Sequence, residues 1–185
     1  MSTLARRLSL PAGALLTVAL LAAPASAQTY AAGVGGAFVD DTGNPGKDSS
    51  LSSAEWHVFA ELQTEQATFF ELRYTRMSLS GTVENSPELD VDAVESRVTY
   101  RFKEDWWEPG FFAGLGYYRT SPQDPSGDQV SVDQQEDAFG MVGGVSLAVR
   151  FGKSWEARLE GTGRYIATDV KHYPLSIGLS LAYRF

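Results

Sequence analysis

From position 173 to position 185 the chain alternates without a break between two kinds of residue. Tyr173, Leu175, Ile177, Leu179, Leu181, Tyr183 and Phe185 form an apolar rank, and Pro174, Ser176, Gly178, Ser180, Ala182 and Arg184 form a small or polar one. Strict period two marks a strand whose two faces meet different surroundings. Seven earlier stretches repeat it, at 29–39, 54–63, 68–77, 93–102, 110–119, 138–151 and 155–165. In the second, Trp56, Val58, Ala60 and Leu62 alternate with Glu55, His57, Phe59 and Glu61. No helical period competes over a comparable length.

Connections after the odd-numbered stretches (40–53, 78–92, 120–137, 166–172) tend to be longer than those after the even-numbered ones (64–67, 103–109, 152–154). This predicts an all-β fold: an eight-stranded antiparallel up-and-down barrel with short turns at one end and longer loops at the other. Both termini then fall at the short-turn end.

Alternation does not by itself say which rank faces out, since a soluble eight-stranded barrel would bury the apolar rank. Three features predict the reverse. An eight-stranded interior is only just wide enough for side chains and would be overfilled by most of the large apolar ones. Gly114, Gly116, Gly140, Gly144 and Gly178 lie on the polar rank, where they make room in a narrow lumen. Tyr100, Phe102, Phe151, Trp155, Tyr183 and Phe185 fall at the short-turn ends, and Trp56, Tyr74, Tyr117, Phe139, Tyr165 and Tyr173 at the loop ends. Two ring belts around an aliphatic middle fit a barrel that faces lipid.

The amino terminus adds a destination. Arg6 and Arg7, the apolar run 8–21 and Ala25-Ser26-Ala27 read as a signal peptide over residues 1–27, leaving 28–185 as one barrel domain. The chain has no cysteine, which excludes a disulfide scaffold and thiolate chemistry. Without the leader, 13 basic residues face 23 acidic ones, which argues against nucleic acid as a partner.

The export segment, eight amphipathic strands, loop order and the ending Leu179-x-Leu181-x-Tyr183-x-Phe185 together resemble small outer-membrane β-barrels of Gram-negative bacteria. The similarity is to the outer membrane protein A-like and X-like group. The resemblance implies an outer-membrane location, contact with membrane lipid and lipopolysaccharide, and insertion by the barrel-assembly machinery. It assigns the assembly signal to Leu181, Tyr183 and Phe185. With no domain after Phe185, the wall-tethering role of larger members is not expected.

The polar rank sends Glu55, Glu61, Glu71, Glu95, Glu156 and Glu160 inward, with Arg73, Arg97, Arg101, Arg150, Arg158, Arg164 and Arg184. Near balance between carboxylates and guanidiniums predicts a filled, ion-paired plug; the alternative is a narrow channel for small solutes lined by the same groups. His57 joins this network, since one histidine cannot build a metal site. No cofactor is expected. Outside, the long connections hold Asp40, Asp41, Asp48, Glu84, Glu88, Asp90, Asp92, Asp124, Asp128, Asp133, Glu136, Asp137 and Asp169, opposed there by Lys47 and Lys171 alone. Such a crown reads as solvated loops, or as a contact for divalent cations or a basic surface ligand. No stretch has the EF-hand pattern.

The expected work is therefore membrane integrity, surface interaction or adhesion, with transport as the alternative and lipid A hydrolysis third. Lipid A deacylases share the eight-stranded architecture and use a histidine with a serine two residues on. After His172 that position is Pro174, and Ser176 is displaced. The chain is not expected to be an enzyme.

Overall fold

The computed structural model describes residues 29–41, 53–64, 67–79, 88–123, 135–168 and 171–185. The leader 1–27 lies outside the described residues, as do Lys47, Asp48, Glu84, Asp124, Asp128, Asp133 and Asp169.

Eight strands follow one another: β1 (Tyr30–Asp41), β2 (Ser53–Gln63), β3 (Thr68–Leu79), β4 (Glu88–Arg101), β5 (Trp107–Gln123), β6 (Glu136–Phe151), β7 (Trp155–Ile166) and β8 (Pro174–Arg184). Each pairs antiparallel with the next, and β8 closes on β1 with Ala32 opposite Tyr183 and Phe38 opposite Ile177. Closure leaves no sheet edge, so the strand backbone is bonded on both sides. The tight turn between β6 and β7 passes through Gly152 at φ 66°, a left-handed conformation that glycine adopts without strain.

The apolar rank faces outward. Leu115, Met141, Val145, Ile177 and Leu179 are exposed, while Glu71, Arg73, Glu95, Arg97 and Arg158 are buried within the barrel. Ring pairs bound this apolar band. At the loop end Trp56 meets Tyr74 at 5.5 Å, Tyr117 meets Phe139 at 5.5 Å and Tyr165 meets Tyr173 at 5.4 Å. At the short-turn end Tyr100 stacks on Phe111 at 5.7 Å, and Tyr183 touches both Trp155 and Phe185.

Several strands run further toward the loop end than the alternation predicts. Asp40, Asp41, Glu88, Asp90, Asp92, Glu136 and Asp137 belong to strands, not loops. The cause is an inversion. Above the upper ring belt the outward rank turns polar, with Arg76, Ser78, Asp90, Asp92, Arg119 and Asp137, while the inward rank turns apolar. Val39, Met77, Leu79, Val91, Ala93, Tyr118, Ala138 and Ile166 form a buried cluster there, with Leu89 packed against it. Below the belt the strand is apolar outside and polar inside; above it, the opposite holds. That is the pattern of a strand leaving hydrocarbon for water.

Candidate functional site

The lumen below the apolar cluster is filled by ions. Near the short-turn end Arg101 donates to Glu61 at 2.5 Å and to Glu156 at 3.1 Å. Arg158 donates to Glu156 at 2.5 Å, Glu61 at 2.9 Å and Glu71 at 3.1 Å. Midway, Arg73 clasps Glu160 through both terminal nitrogens at 2.7 and 2.9 Å and donates from Nε to Glu71 at 2.8 Å. Higher up, Arg97 binds Glu95, and Arg164 joins Glu95 at 2.7 Å to Glu55 at 2.9 and 3.0 Å. Tyr118 donates to Glu95 at 3.1 Å, tying the top of the ionic section to the apolar cluster.

Three phenylalanines on the inward rank pad the guanidinium faces. Arg73 and Arg158 lie over Phe59, Arg97 lies 4.8 Å over Phe112, and Arg101 lies 4.1 Å over Phe69. Their edges are spoken for by carboxylates and their faces by rings, a desolvated arrangement that suits arginine and not lysine. Two glycines make the room: a Cβ at Gly33 would stand 2.4 Å from the Phe59 ring, and one at Gly144 2.0 Å from the Gly161 carbonyl and 2.7 Å from Phe112.

Of the residues read as lumen groups, Glu55, His57, Glu61, Glu71, Arg73, Glu95, Arg97, Arg101, Glu156, Arg158, Glu160 and Arg164 are buried inside, and Arg184 meets Glu156 at the short-turn mouth. Arg150 is placed differently. Its side chain is 38% exposed at that mouth, where it binds Glu108 at 2.7 Å and stands 3.8 Å from Glu156. The alternation puts Glu108 in the connection 103–109; in the structure β5 begins at Trp107, and Glu108 is a buried, inward residue. Its addition sets seven carboxylates (Glu55, Glu61, Glu71, Glu95, Glu108, Glu156, Glu160) against seven arginines.

His57 bridges Glu55 and Ser180, with Nδ1 3.2 Å from the carboxylate and Nε2 3.2 Å from the hydroxyl. The connectivity is that of a hydrolase triad. Yet all three are buried on the inward rank and Glu55 is clasped by Arg164, so an ester in the surrounding lipid cannot reach the hydroxyl. Ser176, the serine weighed with His172, also points inward and accepts a bond from Arg164 at 3.1 Å.

The acidic crown is less bare than the sequence suggests. Arg76 donates to Asp90 at 3.1 Å, Ser78 donates to the same carboxylate at 2.7 Å, and Tyr74 donates to Asp92 at 2.5 Å. Arg119 donates to Asp137 at 2.8 and 3.3 Å. Arg76 and Arg119 thus oppose the acids alongside the lysines, because the strands carrying them extend above the belt. Among the described residues no group of three or more His, Asp or Glu could hold a metal ion. Leu181, Tyr183 and Phe185 lie on the lipid-facing rank at the short-turn end.

A closed barrel of eight strands, apolar outside between two ring belts and polar within, is a transmembrane β-barrel of the outer-membrane type. The chain belongs to the outer membrane protein beta-barrel domain family, whose model matches residues 13–185. Solved structures agree in fold. Neisserial surface protein A superposes with a TM-score of 0.66 at 13% identity, covering 86% of this chain and 98% of its own. Ail, the attachment invasion locus protein of Yersinia pestis, gives 0.58 at 10% identity over 85% and 98%. The N-terminal barrel domain of Pseudomonas aeruginosa OprF gives 0.55 at 13% identity over 85% and 97%. No curated protein sequence matches this chain.

Proposed function

We propose that this protein is a closed surface scaffold of the outer membrane: a sealed barrel that holds its loops outside the cell against a basic partner. The observation that supports closure is the lumen itself, where carboxylates, guanidiniums and phenyl rings occupy the section below the belt and the apolar cluster covers it. The sign of the partner follows from the loops. The connection 124–135 carries Asp124, Asp128 and Asp133, and it runs into Glu136 and Asp137. A structure of the similar Ail barrel contains the heparin analogue sucrose octasulfate; the acidic loops of this chain favour a partner of the opposite charge. In the same reading residues 1–27 direct export, and Leu181, Tyr183 and Phe185 present the terminal rank to the assembly machinery.

Refolded protein in a planar bilayer is expected to show no steady nanosiemens opening; such an opening would replace the scaffold with a channel. Cells displaying the barrel should adhere to a polylysine surface and not to heparin. Changing Asp124, Asp128 and Asp133 together to Asn should abolish the adhesion, and unchanged adhesion would refute the loop assignment.

A further inference from the structure

At the short-turn mouth of the lumen the inward charges are out of balance. Four guanidiniums crowd one carboxylate: Arg158 and Arg101 donate to Glu156 at 2.5 and 3.1 Å, Arg184 is paired with it, and Arg150 stands 3.8 Å away. Glu61 and Glu108 are the other inward carboxylates at this level among the described residues. Four bases thus meet three acids here. The section above sets Arg73, Arg97 and Arg164 against Glu55, Glu71, Glu95 and Glu160. The inward charges cancel as a whole, but the surplus of positive charge lies at the short-turn end.

Hydrogen bonding at this end is short of acceptors as well. Among the described residues Arg101 Nε, Arg184 Nε and the Ser146 hydroxyl are buried without a partner. Native interiors seldom leave such groups unbonded. Gly110 shapes the space between two of them. It pairs with Arg101 on one side and Ser146 on the other, and a Cβ there would stand 3.1 Å from Arg101 Cγ and 3.2 Å from Ser146 Oγ. Glycine keeps that volume open beside Arg101. Access is from the short-turn side: the Arg150 and Arg184 side chains are 38% and 11% exposed, whereas Arg101 and Ser146 are buried and the apolar cluster closes the far end.

We infer that Arg101, Arg150, Arg184 and Ser146 form a binding site for a small soluble oxyanion of the phosphate class, entered from the short-turn side. A planar guanidinium holds two oxygens of such an anion through parallel bonds, and an anion of this size supplies the acceptors that the buried donors call for. One bound negative charge also offsets the surplus. The inference goes beyond the scaffold reading, since neither the loops nor their partner takes part in it.

The test titrates phosphate, acetate and chloride into the refolded full chain in uncharged micelles, with ionic strength held constant by methanesulfonate. The readout is the thermal midpoint, which a ligand of the folded state raises. Phosphate should raise it saturably and more than either other anion. Arg150→Gln and Arg184→Gln should each weaken phosphate about tenfold, and Arg119→Gln, at the loop end, should leave it unchanged. Glu108→Gln releases Arg150 and should tighten phosphate about threefold, a gain that damaged folding cannot mimic. No saturable rise, or arginine variants within twofold of the parent, would overturn the site. An equal response to all three anions would reduce it to a general salt effect and overturn it too. Displacement of phosphate by a short-chain phosphatidylglycerol would move the site to a lipid head group and overturn the soluble-ligand assignment.

Discussion

Two sections of one lumen are built from opposite materials. Below the upper belt the same eight strands enclose arginine and glutamate; above it they enclose Val39, Met77, Leu79, Val91 and Ile166. The difference lies outside the wall. Where hydrocarbon surrounds the barrel, apolar side chains gain nothing from water exclusion by turning inward, because lipid is as apolar as they are. What must be hidden there is charge, and seven acids and seven bases hide one another. Where water surrounds the barrel the hydrophobic effect returns and drives the apolar rank in. The wall reports its solvent by which rank it buries.

The two sections should therefore fail differently. The largest effect belongs to a single broken ion set. Arg158 serves Glu61, Glu71 and Glu156 with no exposure to solvent. Arg158→Met leaves three carboxylates short of a partner inside the lumen and should destabilise the barrel by about 3–5 kcal/mol. Arg73→Met combined with Glu160→Met should lose less than the two single changes added together, since removing both partners strands fewer charges. Urea midpoints read from heat-dependent gel mobility measure both; simple additivity would refute the coupled network.

In the upper section the loss is of volume, not charge. Met77→Ala opens a cavity in the apolar cluster and should lower stability by about 2–5 kcal/mol, less than Arg158→Met if relaxation is ordinary. Because the wall around the apolar cluster stands in water, this change should also raise protease cleavage at the loop end of β3 and β4 before the lower barrel gives way. Cleavage and global unfolding at one urea concentration would show a single cooperative unit.

The outward rank gives a third contrast, between positions on either side of the belt. Leu179 is 65% exposed midway between the rings at Tyr173 and Tyr183, and Leu179→Arg should cost about 2–4 kcal/mol in a bilayer. Ser121, above the belt and opposite Asp90, should accept arginine within about 0.5 kcal/mol. Equal penalties would put the membrane boundary elsewhere.

How much of this the sequence disclosed follows the same boundary. Within the apolar band the two-residue period survives, so the strands, their order and their inward acids were legible. At the loop end the ranks exchange character, and Ser78, Asp90 and Asp92 on an outward rank read as loop. Glu108 was hidden by its neighbours, since Trp106-Trp107 before Pro109 resembles a turn and proline seldom lies within a strand. Which arginine meets which glutamate was beyond reach. Arg73 and Glu160 lie on β3 and β7, and only the closing register brings them together. Phe59 falls on the polar rank of its stretch, yet its place under the Arg73 and Arg158 guanidiniums needed the closed barrel.

The smallest expected effect separates the two environments most cleanly. Arg119 and Asp137 form a two-bond ion pair as good in geometry as several in the lumen, but both side chains are about half exposed. Water screens the pair and entropy opposes it, so Asp137→Asn should change stability by only about 0.2–1 kcal/mol. That small difference should vanish between about 0.1 and 1 M salt, as the screening length contracts from about 10 to 3 Å. The Arg158→Met deficit, enclosed by the barrel wall, should persist at both salt concentrations. Thermal midpoints of the two variants across a salt series decide the matter. If the lumen deficit also disappears in high salt, ions enter the barrel, and the sealed interior on which the two-section account depends is open to solution.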